Sequence, residues 1–172
     1  MTFGARTRKA VLTVHIASSA GWLGAVATVL ALAVVGLVGD GPDVRRAAFI
    51  ATELIAWAVL VPLAAVSFAT GVAQSLGTRW GLLRHYWVVF KLCITLVATV
   101  VLLAYTQTLA TFAGVAARPT WGPSDLRILD SPSLLLHAGL AVLLLTVATG
   151  LAVFKPSGLT ARGHRLASNR PR

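Results

Sequence analysis

The chain has 172 residues, 57% of them hydrophobic and only 12% charged, with a formal net charge of +10. A soluble domain of this length carries about twice that charged fraction, so the composition excludes a disordered chain, a solvated coiled coil and an ordinary water-soluble enzyme. The single cysteine excludes an intrachain disulfide and a Cys-rich metal site.

In chain order, the basic residues Arg6, Arg8 and Lys9 precede an apolar run over 10–39. That run exceeds the about 7–15 residues of a secretory leader core, and three more follow it, so it is read as a retained span. The others cover 54–78, 92–117 and 131–154. About 20 helical residues cross a hydrocarbon layer of roughly 30 Å, and in lipid every backbone group must be satisfied within the segment, which dictates helices. The predicted architecture is all-α: a single-domain polytopic membrane protein, an antiparallel four-transmembrane-helix bundle with spans at 10–38, 47–75, 85–113 and 133–154 and a basic tail over 155–172.

Gly39-Asp40-Gly41-Pro42 is a turn signal, and the second connection, over 75–83, is also short, which places consecutive helices side by side. The third connection, over 117–132, is longer. It contains Pro119, Trp121, Gly122, Pro123 and Pro132 and is expected to cover part of one face. Pro62 falls inside the second span and predicts a kink. Pro156 and Gly158 predict the end of the last helix.

Arg6, Arg8, Lys9, Arg79, Arg84, Lys155, Arg162, Arg165, Arg170 and Arg172 collect on one side with no acidic residue. On the other side Arg45, Arg46, Arg118 and Arg127 are balanced by Asp40, Asp43, Asp125 and Asp130. Loops rich in Lys and Arg stay inside, so both termini are expected in the cytoplasm and the protein in the cytoplasmic membrane. The net charge then belongs to a membrane face, where the tail attracts anionic lipid, and it gives no argument for nucleic acid. Trp80, Tyr86 and Trp87 are expected at the inner interface, and Cys93 as a buried thiol.

Stepping each helix by 100° puts Glu53, Trp57, Leu60, Ala64, Ser67, Gly71, Gln74 and Ser75 on one face of the second span. It puts Arg84, Trp87, Lys91, Thr95, Ala98, Leu102, Tyr105 and Thr106 on one face of the third. On the first, His15, Ser18, Ser19 and Trp22 share a face opposite a small-residue stripe of Ala17, Ala20, Gly21, Gly24, Ala27, Thr28 and Ala31. Polar groups favour the bundle interior. The small stripe suits close helix contact, between neighbours in the chain or in a homodimer.

His15 and Lys91 lie at similar depth near the inner side, with His85 closer to the headgroups; Glu53 and His137 lie in the outer half. The bland expectations are a neutral His15 hydrogen-bonded to Ser19, a snorkelling Lys91, Glu53 at the outer interface and His137 near a helix start. A sharper one is haem b held by His15 and His85, with Arg84 and Lys91 on its propionates, provided the third helix begins before Arg84. A third is an oligomeric ion or solute transporter whose polar path runs from Gln74 and Lys91 to Tyr105 and Glu53. No trio of metal ligands converges. Ser18 and Ser19 beside His15 lack a third group to orient the ring, and residues 158–163 form no phosphate loop, so no catalytic residue is assigned.

The stretches LTVHIASSAGWLG (12–24), TGVAQSLGTRWGLLRHYWVVFKL (70–92) and FKPSGLT (154–160) resemble a family of small four-helix integral membrane proteins of unknown function from high-GC Gram-positive bacteria. The resemblance covers nearly the whole chain and implies the four-span fold but no activity. Its matching residues are His15, Trp22, Gly71, Trp80, Gly81, His85, Tyr86, Trp87, Lys91, Lys155, Pro156 and Gly158; all but Trp22 and Gly71 lie towards the inner face, which points to the cytoplasmic half. The leading functional expectation is a non-enzymatic accessory or interaction subunit; the alternatives are the haem protein and the transporter.

Overall fold

The computed structural model describes residues 3–78 and 81–168. Arg79, Trp80, Arg170 and Arg172, which entered the charge and interface expectations, lie outside them. Among the described residues every regular element is a helix: α1 (Ala5–Val38), α2 (Pro42–Ile55), a π-helical turn (Ala56–Leu60), α3 (Val61–Gly77), α4 (Tyr86–Ala116), α5 (Pro123–Leu129), α6 (Ser133–Phe154) and α7 (Ala161–Ser168). Four stretches are long and apolar enough to cross a membrane: Ala5–Val38, Pro42–Gly77, Tyr86–Ala116 and Pro123–Phe154.

α1 buries His15, Ser18, Trp22, Val26, Val29, Ala33 and Gly36, a stripe at helical spacing. It packs against the α2–α3 rod on one side and α6 on the other, and α4 packs against the same two. Of the small-residue stripe, only Gly21 meets a neighbour, with Leu63 3.2 Å from where a Cβ would stand. Ala17, Ala20, Gly24, Ala27, Thr28 and Ala31 remain exposed, so the stripe does not serve packing within this chain.

The α2–α3 rod corrects the projected face of the second span. The π turn ends one residue before Val61-Pro62. Proline at position 62 lacks an N–H and its ring presses on the carbonyl four residues back, at Ala58, which the widened turn accommodates. Because a π turn holds more residues than an α turn, the helix faces slip by one position across it. The buried series becomes Thr52, Ala56, Leu60, Ala64 and Ser67, while Trp57 turns outward and is 53% exposed. Glu53 therefore leaves the stripe that carries Ser67 and Gln74.

α4 keeps Lys91, Thr95, Ala98, Leu102, Tyr105 and Thr106 on its inward side, as projected. Cys93 points the opposite way and is exposed, which corrects its expected burial. Two residues past Lys91 is about 200° of rotation, so the thiol cannot share the inward face.

Within the core Phe49 stacks on Phe112, with centroids 5.4 Å apart. Gly36 makes that stack possible: a Cβ there would stand 2.8 Å from the Phe49 ring. The same end holds a clasp. Arg45 donates from Nε to the Gly36 carbonyl at 2.7 Å, and Arg46 from Nε to the Ala116 carbonyl at 2.9 Å. These are terminal carbonyls of α1 and α4, which have no acceptor role left inside their helices. Both guanidiniums lie over the Trp121 ring, at 5.8 and 5.5 Å. Arg45–Asp130 (2.6 Å), Arg46–Asp43 (2.7 Å) and Arg118–Asp125 (2.5 Å) complete it. The long third connection is thus a folded cover with its own short helix, α5.

At the other end, Phe3 donates to Gly77 (3.2 Å), Tyr86 to Gly158 (3.3 Å) and Thr160 to Arg84 (3.1 Å) through backbone bonds. The end of α3 thus meets the chain start, and the start of α4 meets the segment after α6. We refer to this as the basic end. Its described charges are Arg6, Arg8, Lys9, Arg84, Lys155, Arg162 and Arg165. α6 stops at Lys155, whose φ of 43° is left-handed, ahead of Pro156.

Candidate functional site

Three helices contribute to a polar cluster in the basic-end half. His15 comes from α1, Ser67, Thr70 and Gly71 from α3, and Lys91 from α4. The His15 Nδ1 lies 3.1 Å from the Ser67 carbonyl oxygen and 3.1 Å from the Thr70 hydroxyl, and its Nε2 lies 3.2 Å from the Lys91 ammonium. A carbonyl only accepts, so Nδ1 carries the proton and donates to Ser67. Thr70 donates its own proton to the Val66 carbonyl at 2.6 Å, leaving a lone pair for the same Nδ1–H. An ammonium only donates, so Nε2 accepts from Lys91. One tautomer satisfies all contacts: neutral His15 protonated on Nδ1, with Nε2 accepting from Lys91.

Gly71 explains how the ring fits. A Cβ there would stand 3.1 Å from the His15 Cε1, tighter than an ordinary contact. Around the ring, Ser19 bonds Ser67 through their hydroxyls at 2.7 Å, Ser18 donates to the His15 carbonyl at 3.2 Å, and Gln74 donates to the Val11 carbonyl at 3.3 Å. Ser19, expected as the His15 partner, thus serves Ser67 instead. The reason is that Nδ1 points across to α3, where a main-chain acceptor is available.

The other predicted residues fall elsewhere. Tyr105 bonds the Ser133 hydroxyl at 2.8 Å and stacks on His137 with centroids 4.1 Å apart, while His137 Nδ1 donates to the Ser133 carbonyl at 2.8 Å. This second cluster joins α4 to the start of α6 at the end opposite the basic one. Between the two clusters lie Trp22 (2% exposed), Leu60 and Ala64 in the apolar core, and Leu102 packed against it. The inward stripes therefore form no continuous polar line from Lys91 to Tyr105. Glu53 is partly buried and forms no ion pair with a described residue.

His85 precedes the first residue of α4 in an extended conformation, pairs with Leu159 as an isolated bridge and lies 6.5 Å from the Trp87 ring. The third long helix begins at Tyr86, not before Arg84, which corrects the geometry that the His15–His85 haem scheme required. Arg84 lines a cleft with Leu83 and Arg162, whereas Lys91 contacts His15. Among the described residues no three His, Cys, Asp or Glu side chains converge.

The similar depth of His15 and Lys91 was readable by counting residues. Ser67 and Thr70 were not assigned to His15, because a rotation about the α3 axis decides which neighbour a serine or threonine meets. The Arg45–Arg46 clasp was read only as charge balance. Its sequence signal is a pair of arginines one turn inside a helix that follows a tight turn. No protein-family model, curated protein or solved structure matches the chain.

Proposed function

We propose that the chain is a polytopic protein of the cytoplasmic membrane whose four long helices cross as an antiparallel bundle, with both termini and the basic end in the cytoplasm. In it the protein serves as a non-enzymatic accessory or interaction subunit. The outward apolar surface supports the membrane reading: Ile16, Trp57, Phe90, Leu96, Val97 and Leu140 are among many large exposed side chains, a surface that water does not tolerate. The charge asymmetry supports the orientation.

The observation that carries the functional reading is the closure of the His15 cluster. Both ring nitrogens, the Ser67 carbonyl and the Thr70 hydroxyl bond one another or Lys91. A catalytic or ligating imidazole needs a nitrogen directed at its target; here the cluster pins three helices together. The exposed stripe Ala17, Ala20, Gly24, Ala27 and Ala31 supports a helix contact outside the chain, with a second copy or another membrane protein.

Haem b on His15 and His85 would require His15 to release Lys91. Absorption spectroscopy and metal analysis of the detergent-purified protein separate the readings. A colourless, metal-free protein is expected. A Soret band lost in both His15→Ala and His85→Ala would replace the accessory reading with the haem one. Proteoliposomes are expected to show no ion flux, and flux abolished by Lys91→Leu would favour the transporter.

A further inference from the structure

The acidic residues of the chain are Asp40, Asp43, Glu53, Asp125 and Asp130. The four aspartates stand at the clasp end; Glu53 lies deeper. It follows Arg46 by seven residues, two turns on the same face of α2 and about 10 Å along the axis. On the membrane reading the clasp sits at headgroup level, so a side chain with two methylenes ends within the hydrocarbon layer. The clasp arginines turn away from it. Arg46 donates to Asp43 and to the Ala116, Arg118 and Pro119 carbonyls, and Arg45 to Gly36 and Asp130. The Glu53 carboxyl forms neither an ion pair nor a hydrogen bond with any described residue.

One turn further on, the π turn brings Trp57 to the outer surface, with its indole N–H unbonded to any described residue. Ile50 and Leu54, both exposed, continue that surface. A carboxyl and an indole face one turn apart suit a cation, the first through charge-assisted hydrogen bonds and the second through its ring quadrupole. An acidic group at this depth ordinarily meets a basic partner. The described part of this chain does not supply one. Its Lys and Arg residues lie at the two ends except Lys91, which belongs to the basic-end half and contacts His15. A second copy in the same orientation therefore brings no described cation to the level of Glu53.

We propose that Glu53 and Trp57 dock a transmembrane helix of a different membrane protein through a Lys or Arg side chain that this helix carries at the same depth. The basic group sits on the Glu53 carboxyl and against the Trp57 ring, and the body of the helix packs on Ile50 and Leu54. The proposal rests on the membrane and interaction reading above and deepens it by naming the chemistry of the partner. An amphiphilic cation of small size shares the charged group but lacks the helix contact.

The test reconstitutes the full-length protein in phosphatidylcholine vesicles, with a fluorescent donor on Thr120→Cys in a Cys93→Ala background. The probes are acceptor-labelled synthetic helices of about 20 leucines and alanines. One carries a single Lys about two turns from one end, and the other carries Leu at that position. Energy transfer across a series of peptide mole fractions gives the affinity. The Lys helix is expected to bind about tenfold more tightly than the Leu helix, the effect of a polar contact between helices in lipid. Glu53→Gln is expected to remove most of that preference and Trp57→Leu to reduce it about threefold. Asp40→Asn, at the clasp end but outside the site, is expected to leave it unchanged. Trp57 lies on the outer surface, so its variant decides the matter if Glu53→Gln misfolds. Equal affinity for the two helices overturns the site. So does an undiminished preference in Glu53→Gln or Trp57→Leu, or an equal loss in Asp40→Asn. Displacement of the Lys helix by dodecyltrimethylammonium at equal mole fraction overturns a helix as the occupant. Failure of the underlying reading is distinct: the protein would then partition into the aqueous phase of Triton X-114, or show the Soret band or the ion flux described above.

Discussion

His15 and Lys91 act as one unit, and that sets what single substitutions do. Removing either leaves its partner with an unmet polar atom in a half-buried site, a loss of about 1–3 kcal/mol for a buried group. His15→Ala and Lys91→Leu are therefore each expected to lower the thermal unfolding temperature in detergent. The double variant is expected to cost clearly less than the sum of the two, the signature of a direct interaction. Strict additivity would show that the pair is not coupled. Membrane insertion of Lys91→Leu is expected to be intact, because removing a charge eases burial; fractionation checks this separately. Gly71→Val should resemble His15→Ala, since its side chain would occupy the space beside Cε1 and overpacking costs about 1–3 kcal/mol. A Gly71→Val protein as stable as the parent would mean that the imidazole does not rest there. At this scale the sequence discloses the charged and titratable members, since a histidine and a lysine stand out in an apolar run. It conceals Ser67 and Thr70, whose hydroxyls are ordinary in such helices and usually bond their own backbone, as Thr95 and Thr99 do with Lys91 and Thr95.

The helices illustrate where pattern reading succeeds and where it slips. Long apolar runs located all four rods, because the length required by a bilayer is much larger than the uncertainty in a helix end. Faces were correct on α1 and α4, which keep α geometry throughout. They failed on the second rod before Leu60, because one widened turn shifts the face by one position, from Glu53 and Trp57 to Thr52 and Ala56. Spin labels report this directly. A label at Trp57→Cys, in a Cys93→Ala background, is expected to be accessible to oxygen in a bilayer, and one at Ala56→Cys shielded; the reverse would mean an uninterrupted α-helix. The clasp at the opposite end is likewise a matter of tertiary position. Arg46 donates to the Ala116, Arg118 and Pro119 carbonyls. Arg46→Gln is expected to cost about 1–2 kcal/mol, discounted for its partial exposure. Calorimetry or thermal unfolding checks the loss, and an unchanged midpoint would reduce the clasp to a surface ion pair.

For the whole molecule, two polar ends enclose an apolar middle, and the ends differ in net charge. One mixes arginines and aspartates in paired contacts; the described part of the other carries only positive charge. That difference is a global property of the sequence, legible without any contact, and on the proposed membrane reading it assigns the basic end to the cytoplasm. Less legible was the return of the 155–168 segment, since a basic stretch containing Pro156 and Gly158 reads as a solvated tail until Thr160 is seen bonded to Leu83 and Arg84. Cysteine labelling decides the arrangement most directly. In a Cys93→Ala background, Thr120→Cys and Ser157→Cys place one thiol at each end, both at exposed positions. A membrane-impermeant maleimide applied to intact spheroplasts is expected to modify Thr120→Cys at once and Ser157→Cys only after permeabilisation. Modification of Ser157→Cys in sealed spheroplasts, or of both sites alike, would contradict four membrane crossings with the basic end in the cytoplasm.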